Sequence, residues 1–217
     1  QGNNTNDIST GTFPPSETSN TKYFFNPLTR TLQDNAGKTD VVLRYDTQSL
    51  PGKISFQKTF DKKTTFVGYP KLKLYMEVEN YNDMDVFVWL QKLDKFGNVL
   101  SEFVVPNHGA VLQDFTQNGA SALRYKGAWG RLRASMRHLD VEHSTDEIPA
   151  YSFDRVEKLS EKQIYDKDET LRIVISSKDE LGSVMPGTPG CTPDNGGIHI
   201  LHTGGITTSY LQLPLLN

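Results

Sequence analysis

The sequence predicts an all-β fold, an antiparallel two-sheet sandwich of jelly-roll type. Three observations carry this reading. Apolar and polar residues alternate with a period of two over long stretches, turn signals return about every ten residues, and no stretch keeps a convincing helical period. The 217 residues suit one large β domain or two small ones, and with 36% hydrophobic and 23% charged residues there is enough apolar material for a core. The clearest alternation is at 127–140. Leu132, Ala134 and Met136 fall on one side and Arg131, Arg133, Ser135 and Arg137 on the other, as in a strand with one buried face.

Taken in order, residues 1–20 are rich in Asn, Thr, Ser and Gly and carry Pro14-Pro15. With the aromatic patch Tyr23, Phe24, Phe25 and Leu28 they read as an extended N-terminal arm over 1–35, anchored at an edge of a sandwich domain over 36–217. Short strands are expected at 41–45 and around Ile54, Phe56 and Phe60, with a turn at Leu50-Pro51-Gly52 between them. In 66–79, Leu72, Leu74, Met76 and Val78 alternate with Lys and Glu, which predicts a strand with one wet face. The stretch 86–93 is apolar on both sides, as a central strand should be. Asp94 to Asn98 then supplies a hairpin loop in which Gly97 is free to take positive φ, and 99–105 is the return strand. Further strands are expected at 129–139, 171–177, 198–202 and 210–216, with a long Gly/Pro loop at 182–197. The only helix candidate, 154–164, is short.

Composition excludes several classes of function. The net charge of −3 offers no basic field for nucleic acid. No apolar run approaches the roughly 18 residues of a membrane span. A lone cysteine, Cys191, cannot close an internal disulfide, which leans slightly toward a cytoplasmic setting. The chain opens on Gln1 rather than Met, as a processed product or fragment would.

The chemistry-bearing residues point mostly to structure. No Gly-x-Ser-x-Gly elbow is present, and Ser135 sits mid-strand with no flanking glycine. Nothing lowers the pKa of the Cys191 thiol enough to make a nucleophile with His199 or His202. The five histidines, His108, His138, His143, His199 and His202, lack metal spacing, and residues 199 and 202 of one strand face opposite ways. Asp83 and Asp85, with Asn80 and Asn82, resemble a calcium loop faintly but have no glycine at the bend. No cofactor or metal is expected. Arg124, Lys126, Arg131, Arg133 and Arg137 form a basic stripe, either solvated or docked on an acidic neighbour. Tyr69, Tyr75, Trp89, Trp129 and Tyr210 would suit a carbohydrate-binding module if exposed in a row, and core if not.

One resemblance goes further. Gly130-Arg131-Leu132-Arg133-Ala134-Ser135-Met136-Arg137, followed by Leu139-Asp140, is similar to a signature of the C-terminal non-catalytic domain of X-Pro dipeptidyl-peptidases and cocaine esterase-like (CocE/NonD) hydrolases. Other segments resemble the same domain in the same order. They are Phe13-Pro14-Pro15 with Tyr23-Phe24, Gly68-Tyr69-Pro70, Asp83-Met84-Asp85-Val86-Phe87-Val88, Leu171-Arg172-Ile173-Val174-Ile175-Ser176, and Asn195-Gly196-Gly197 with His199 and His202-Thr203-Gly204-Gly205. The resemblance implies a galactose-binding-like jelly roll beside an α/β-hydrolase domain that holds the catalytic triad, with no catalytic residue in this chain. It implies packing on that domain, a share in walling its cleft and support for homo-oligomers, with neither nucleic acid nor membrane as partner. Trp129, Arg131, Arg133 and His199 are expected at the partner-facing or cleft-facing surface. The stretch between Leu159 and Leu171 is shorter than usual in the family, so a sheet edge there should be missing or shortened.

Overall fold

The computed structural model describes residues 12–100, 102–104, 123–125, 127–136, 161–178 and 195–216. All the regular structure among them is extended, apart from two short 3₁₀ turns. The strands are β1 (Thr18–Phe25), β2 (Leu32–Gln33), β3 (Val41–Asp46), β4 (Lys53–Thr59), β5 (Thr64–Gly68), β6 (Lys71–Lys73), β7 (Tyr75–Glu79) and β8 (Asp85–Leu93). They continue with β9 (Val99–Leu100), β10 (Glu102–Val104), β11 (Leu123–Tyr125), β12 (Trp129–Arg133), β13 (Glu161–Tyr165), β14 (Thr170–Ser176), β15 (Ile198–Thr203) and β16 (Tyr210–Leu216).

One sheet runs β13-β5-β16-β1-β2, with β6 also on β16. A second runs β12-β8-β14-β4, with β9 on β8, and a third runs β3-β15-β7. Every strand pair in them is antiparallel. Only Leu74 separates β6 from β7, and at that break the Tyr75 N–H donates to the Ser209 Oγ (2.9 Å). The first and third sheets therefore follow on from one another as a curled layer, and the second faces it as the other half of the sandwich.

The core lies between the layers. Phe56, Leu171, Ile173, Ile175, Leu201 and Leu213 have no measurable exposure, and Phe25 stacks on Phe56. Leu171, Ile173 and Ile175 are every second residue of β14, so the period of two sends all three inward. Each such burial contributes roughly 1.5–3 kcal/mol. The central strand β8 is apolar on both faces, as its sequence demands: Val86, Val88 and Leu90 face the core, while Phe87 and Trp89 form a second cluster with Val174. Gly97 takes φ 88° in the β8–β9 hairpin, as expected.

Four expectations are corrected. The arm over 1–35 is, from Thr18 onward, part of the sandwich: β1 lies inside its sheet between β16 and β2, and Tyr23, Phe25 and Leu32 are buried. Its first half, Thr-Ser-Asn-Thr, is polar because that half is only partly covered. The helix candidate 154–164 instead ends in β13, a five-residue edge strand on β5, so the edge expected there to be missing or shortened is present as a short strand; 154–160 lie outside the described residues. The strand expected over 129–139 stops at Arg133 and turns into a 3₁₀ turn, Ala134–Met136. Its face is not buried either, since Leu132 is 41% exposed.

Candidate functional site

The residues singled out by sequence converge on one end of the sandwich, around Asp85. This carboxylate opens β8, and its side chain has 0% exposure. A buried carboxylate is tolerated only when paired and hydrogen-bonded. The strand β12 supplies the partners. Arg131 donates from Nε and Nη2 to Oδ1 (3.2 Å each), and Arg133 from Nε to Oδ1 (3.3 Å) and Nη2 to Oδ2 (2.6 Å). The register explains why. Arg133 sits opposite Asp85 and Arg131 opposite Phe87, so two arginines at a spacing of two lie on the same face as the acid. The Arg131 guanidinium also lies over the Phe87 ring, 5.2 Å from its centre.

Asp83, two residues earlier, holds the turn that follows. It accepts from the Ser135 N–H (3.0 Å) and Oγ (2.8 Å), and Arg133 lies 3.6 Å away. The Ser135 hydroxyl, more than any other neighbour, pulls the Asp83 carboxyl below its ordinary range. This is why the alternation breaks after Arg133. Asp83 and Asp85 are thus engaged by cationic and hydroxyl donors, an arrangement opposite to an oxygen cage for calcium. The Ser135 hydroxyl donates directly to the Asp83 carboxylate, with no histidine between the two.

On its backbone side Asp85 is gripped by Asn195. Asn195 Oδ1 accepts from the Asp85 N–H (3.0 Å), and its Nδ2 donates to the carbonyls of Asp85 and Ser177 (2.8 Å each). The same Oδ1 lies 3.2 Å from His199 Nε2. Because Oδ1 can only accept, Nε2 carries the proton, and Nδ1 accepts from the Tyr45 hydroxyl (2.9 Å). This is the pattern of a neutral ring, which burial favours. Burial pushes its pKa down to about 4 against the pull of the Asp85 charge, and burial pushes the Tyr45 phenol up. The chain Arg131/Arg133–Asp85–Asn195–His199–Tyr45 joins β12 and β8 of one layer to β15 and β3 of the other.

Of the four expected surface residues, Trp129 is 43% exposed and Arg131 and Arg133 are partly so. His199 is a correction: it has 0% exposure and sits at the inner end of the network. As the spacing required, His202 faces the other way. Its Nδ1 lies 3.0 Å from Asp40 and its Nε2 2.9 Å from Glu77. Among the described residues no group of His, Cys, Asp or Glu is placed to hold a metal ion. Of the aromatics, Trp89 is buried, and Tyr75 and Tyr210 are half-buried beneath Lys73 and Lys22, so they form no exposed row with Trp129. His108, His138, His143, Lys126, Arg137 and Cys191 lie outside the described residues, as does the Arg124 side chain. The sequence names Asn195 only as part of a motif, without a role, and gives Tyr45 none. The matched spacing of Asp83/Asp85 and Arg131/Arg133 was a usable sign of the clamp; Tyr45, 154 residues from His199, left none.

Beside β12 the two layers part to leave a cavity of about 450 Å³. Leu72, Leu74, Met76, Val86, Val88 and Leu132 line it. Trp129 and Leu132, which belong to opposite faces of β12, are both solvent-exposed, so this edge strand shows apolar surface on each side.

Comparison with known proteins gives a consistent picture. The family model described as X-Pro dipeptidyl-peptidase C-terminal non-catalytic domain matches residues 1–212. No curated protein matches the sequence. Two crystal structures of a CocE/NonD family hydrolase from Staphylococcus aureus are similar. One is 26% identical with a TM-score of 0.74 over 97% of this chain, the other 25% identical with 0.71 over 96%. The structure of an aminopeptidase from a marine sediment Thaumarchaeota archaeon shares the fold, with a TM-score of 0.53 at 9% identity over 96% of this chain. This chain spans 38% of the length of each of these proteins.

Proposed function

Because the chain belongs to the family of X-Pro dipeptidyl-peptidase C-terminal non-catalytic domains, we propose that it serves a CocE/NonD-type serine hydrolase as its accessory sandwich. In this reading it packs on an α/β-hydrolase domain, helps to wall the substrate cleft and supports oligomerisation. The observation that carries the reading is the coverage: nearly all of this chain corresponds to 38% of the S. aureus hydrolase. The rest of such a protein has room for a catalytic domain of ordinary size. The exposed Trp129 and Leu132 of β12, with Arg131 beside them, support β12 as the packing strand. The parent acts on esters, amides or X-Pro dipeptides.

The test is direct. The chain alone should turn over neither p-nitrophenyl esters nor an Ala-Pro chromogenic substrate. The protein that joins it to its upstream hydrolase domain should do so, and Trp129→Ala with Leu132→Ser should loosen the two domains, read by limited proteolysis between them. Hydrolysis by the isolated chain with an intact serine-histidine signature would overturn the reading. So would specific retardation in a polysaccharide affinity gel, which marks a carbohydrate-binding module instead.

A further inference from the structure

Among the described residues, β12 is held to the sheet more by polar contacts than by burial of its side chains. Among the same residues it is an edge strand that pairs only with β8, and none of its residues is fully buried. Five residues of one ladder, with an exposed tryptophan and an exposed leucine, are a weak hold for a strand. Besides Arg131 over the Phe87 ring and Arg133 near Asp83, β12 has the four N–H donations from Arg131 and Arg133 to the buried Asp85 carboxylate. The 3₁₀ turn after it is tied down by the Ser135 N–H and hydroxyl on Asp83. Asp85 is in turn fixed through both backbone polar atoms by Asn195, which His199 and Tyr45 orient from the opposite layer.

We propose that Asp85 is the positioning residue for β12. Its buried carboxylate sets the place and angle at which Trp129 and Leu132 are shown to a partner, and the Asn195–His199–Tyr45 chain transmits that setting from the far layer. The meaning of this for docking rests on the function proposed above; the positioning itself does not. The chemistry also predicts an asymmetry. Arg131 and Arg133 are 40% and 34% exposed and can be solvated if Asp85 loses its charge, whereas Asp85 cannot be solvated if the arginines are lost. Neutralising the acid should release β12 alone, while removing both arginines should weaken the whole sandwich.

Hydrogen–deuterium exchange on the 217-residue chain reads both effects. In Asp85→Asn, peptides covering 129–134 should exchange about tenfold faster or more, the order expected for losing charge-assisted hydrogen bonds, with 171–175 of β14 unchanged. Arg133→Lys, which keeps the charge and loses the fork, should give a smaller rise in the same peptides. It serves as the decisive variant if Asp85→Asn does not fold. Arg131→Gln with Arg133→Gln should raise exchange in both regions and lower the denaturation midpoint more than Asp85→Asn does. If the peptides over 129–134 are unchanged, or move in step with 171–175 in Asp85→Asn and Arg133→Lys alike, the positioning role is wrong. If β12 is released but the two-domain protein stays as tightly packed as before, the docking role of β12 is wrong and the positioning role of Asp85 stands.

Discussion

Two histidines three residues apart respond to pH with opposite sign. His199 is neutral and buried, with its pKa pushed down to about 4 from 6.5. Between those values the unfolded chain binds the proton and the folded chain does not, so stability is complete above pH 6.5 and drains away as pH falls toward 4. At about 1.4 kcal/mol for each pH unit, the loss at its fullest is about 3 kcal/mol. His202 is the reverse. The Asp40 carboxylate, with Glu77 on its other side, raises its pKa above 6.5. Its contribution is complete below pH 6.5 and is lost as pH rises through the raised value. Water screens this cluster, so the effect should be no more than about 1 kcal/mol. Urea midpoints measured from pH 4 to pH 8 separate the two. His199→Gln should flatten the acid limb, and His202→Gln should flatten the shallow decline on the neutral side. An acid limb that survives in His199→Gln would show that another group governs it.

At the scale of the element, the start of β12 depends on a single glycine. Gly127 has φ 116°, where side chains are rarely found, and a Cβ there would collide with the Leu90 carbonyl oxygen. That approach lets the Ala128 carbonyl accept from the Leu90 N–H (2.8 Å) and seats the strand. Gly127→Ala should therefore destabilise the domain by about 2 kcal/mol or more, with increased exchange beginning at 129. A midpoint equal to that of the parent chain would refute this. The elements also show how far the sequence could be read. β8, β14 and the Gly97 hairpin are legible because burial on one or both faces writes a period of two, or an unbroken apolar run, into 85–99 and 170–176, whereas the single strand expected over 66–79 is split into β5, β6 and β7 of two sheets. β1 and β13 are hidden because Thr-Ser-Asn-Thr and Glu-Lys-Gln carry little of that pattern; pairing with β16 and β5 makes them strands. The alternation past Arg133 misleads because Asp83, 52 residues away, captures Ser135 and turns the backbone. The resemblance puts His199 at a partner-facing or cleft-facing surface, and only the meeting of β15 with β3 and with Asn195 shows that it lies inside. Local patterns record which face is apolar; they do not record which polar residues meet across the layers.

At the scale of the whole sandwich, β16 closes the described sheet. β16 pairs with β1, β5 and β6, so contacts separated by nearly the full chain hold one sheet together. Leu211 and Leu213 point from it into the core with 1% and 0% exposure, while Leu50, on a turn, is 93% exposed. A fold closed this way has little local structure to fall back on, so its stability is expected to be lost in one step and regained slowly. Leu213→Ala removes buried methyl groups where three strands converge and should cost about 2–5 kcal/mol, a large share of the roughly 5–15 kcal/mol that domains possess. Leu50→Ala should change stability by less than about 0.5 kcal/mol. Removing residues 209–217 takes away β16 altogether and should leave no cooperative transition in a urea titration followed by tryptophan fluorescence. A sigmoidal transition retained in that truncated chain would mean that the β12-β8-β14-β4 sheet stands without its partner layer. Closure by β16 would then be a late addition to the fold rather than its condition.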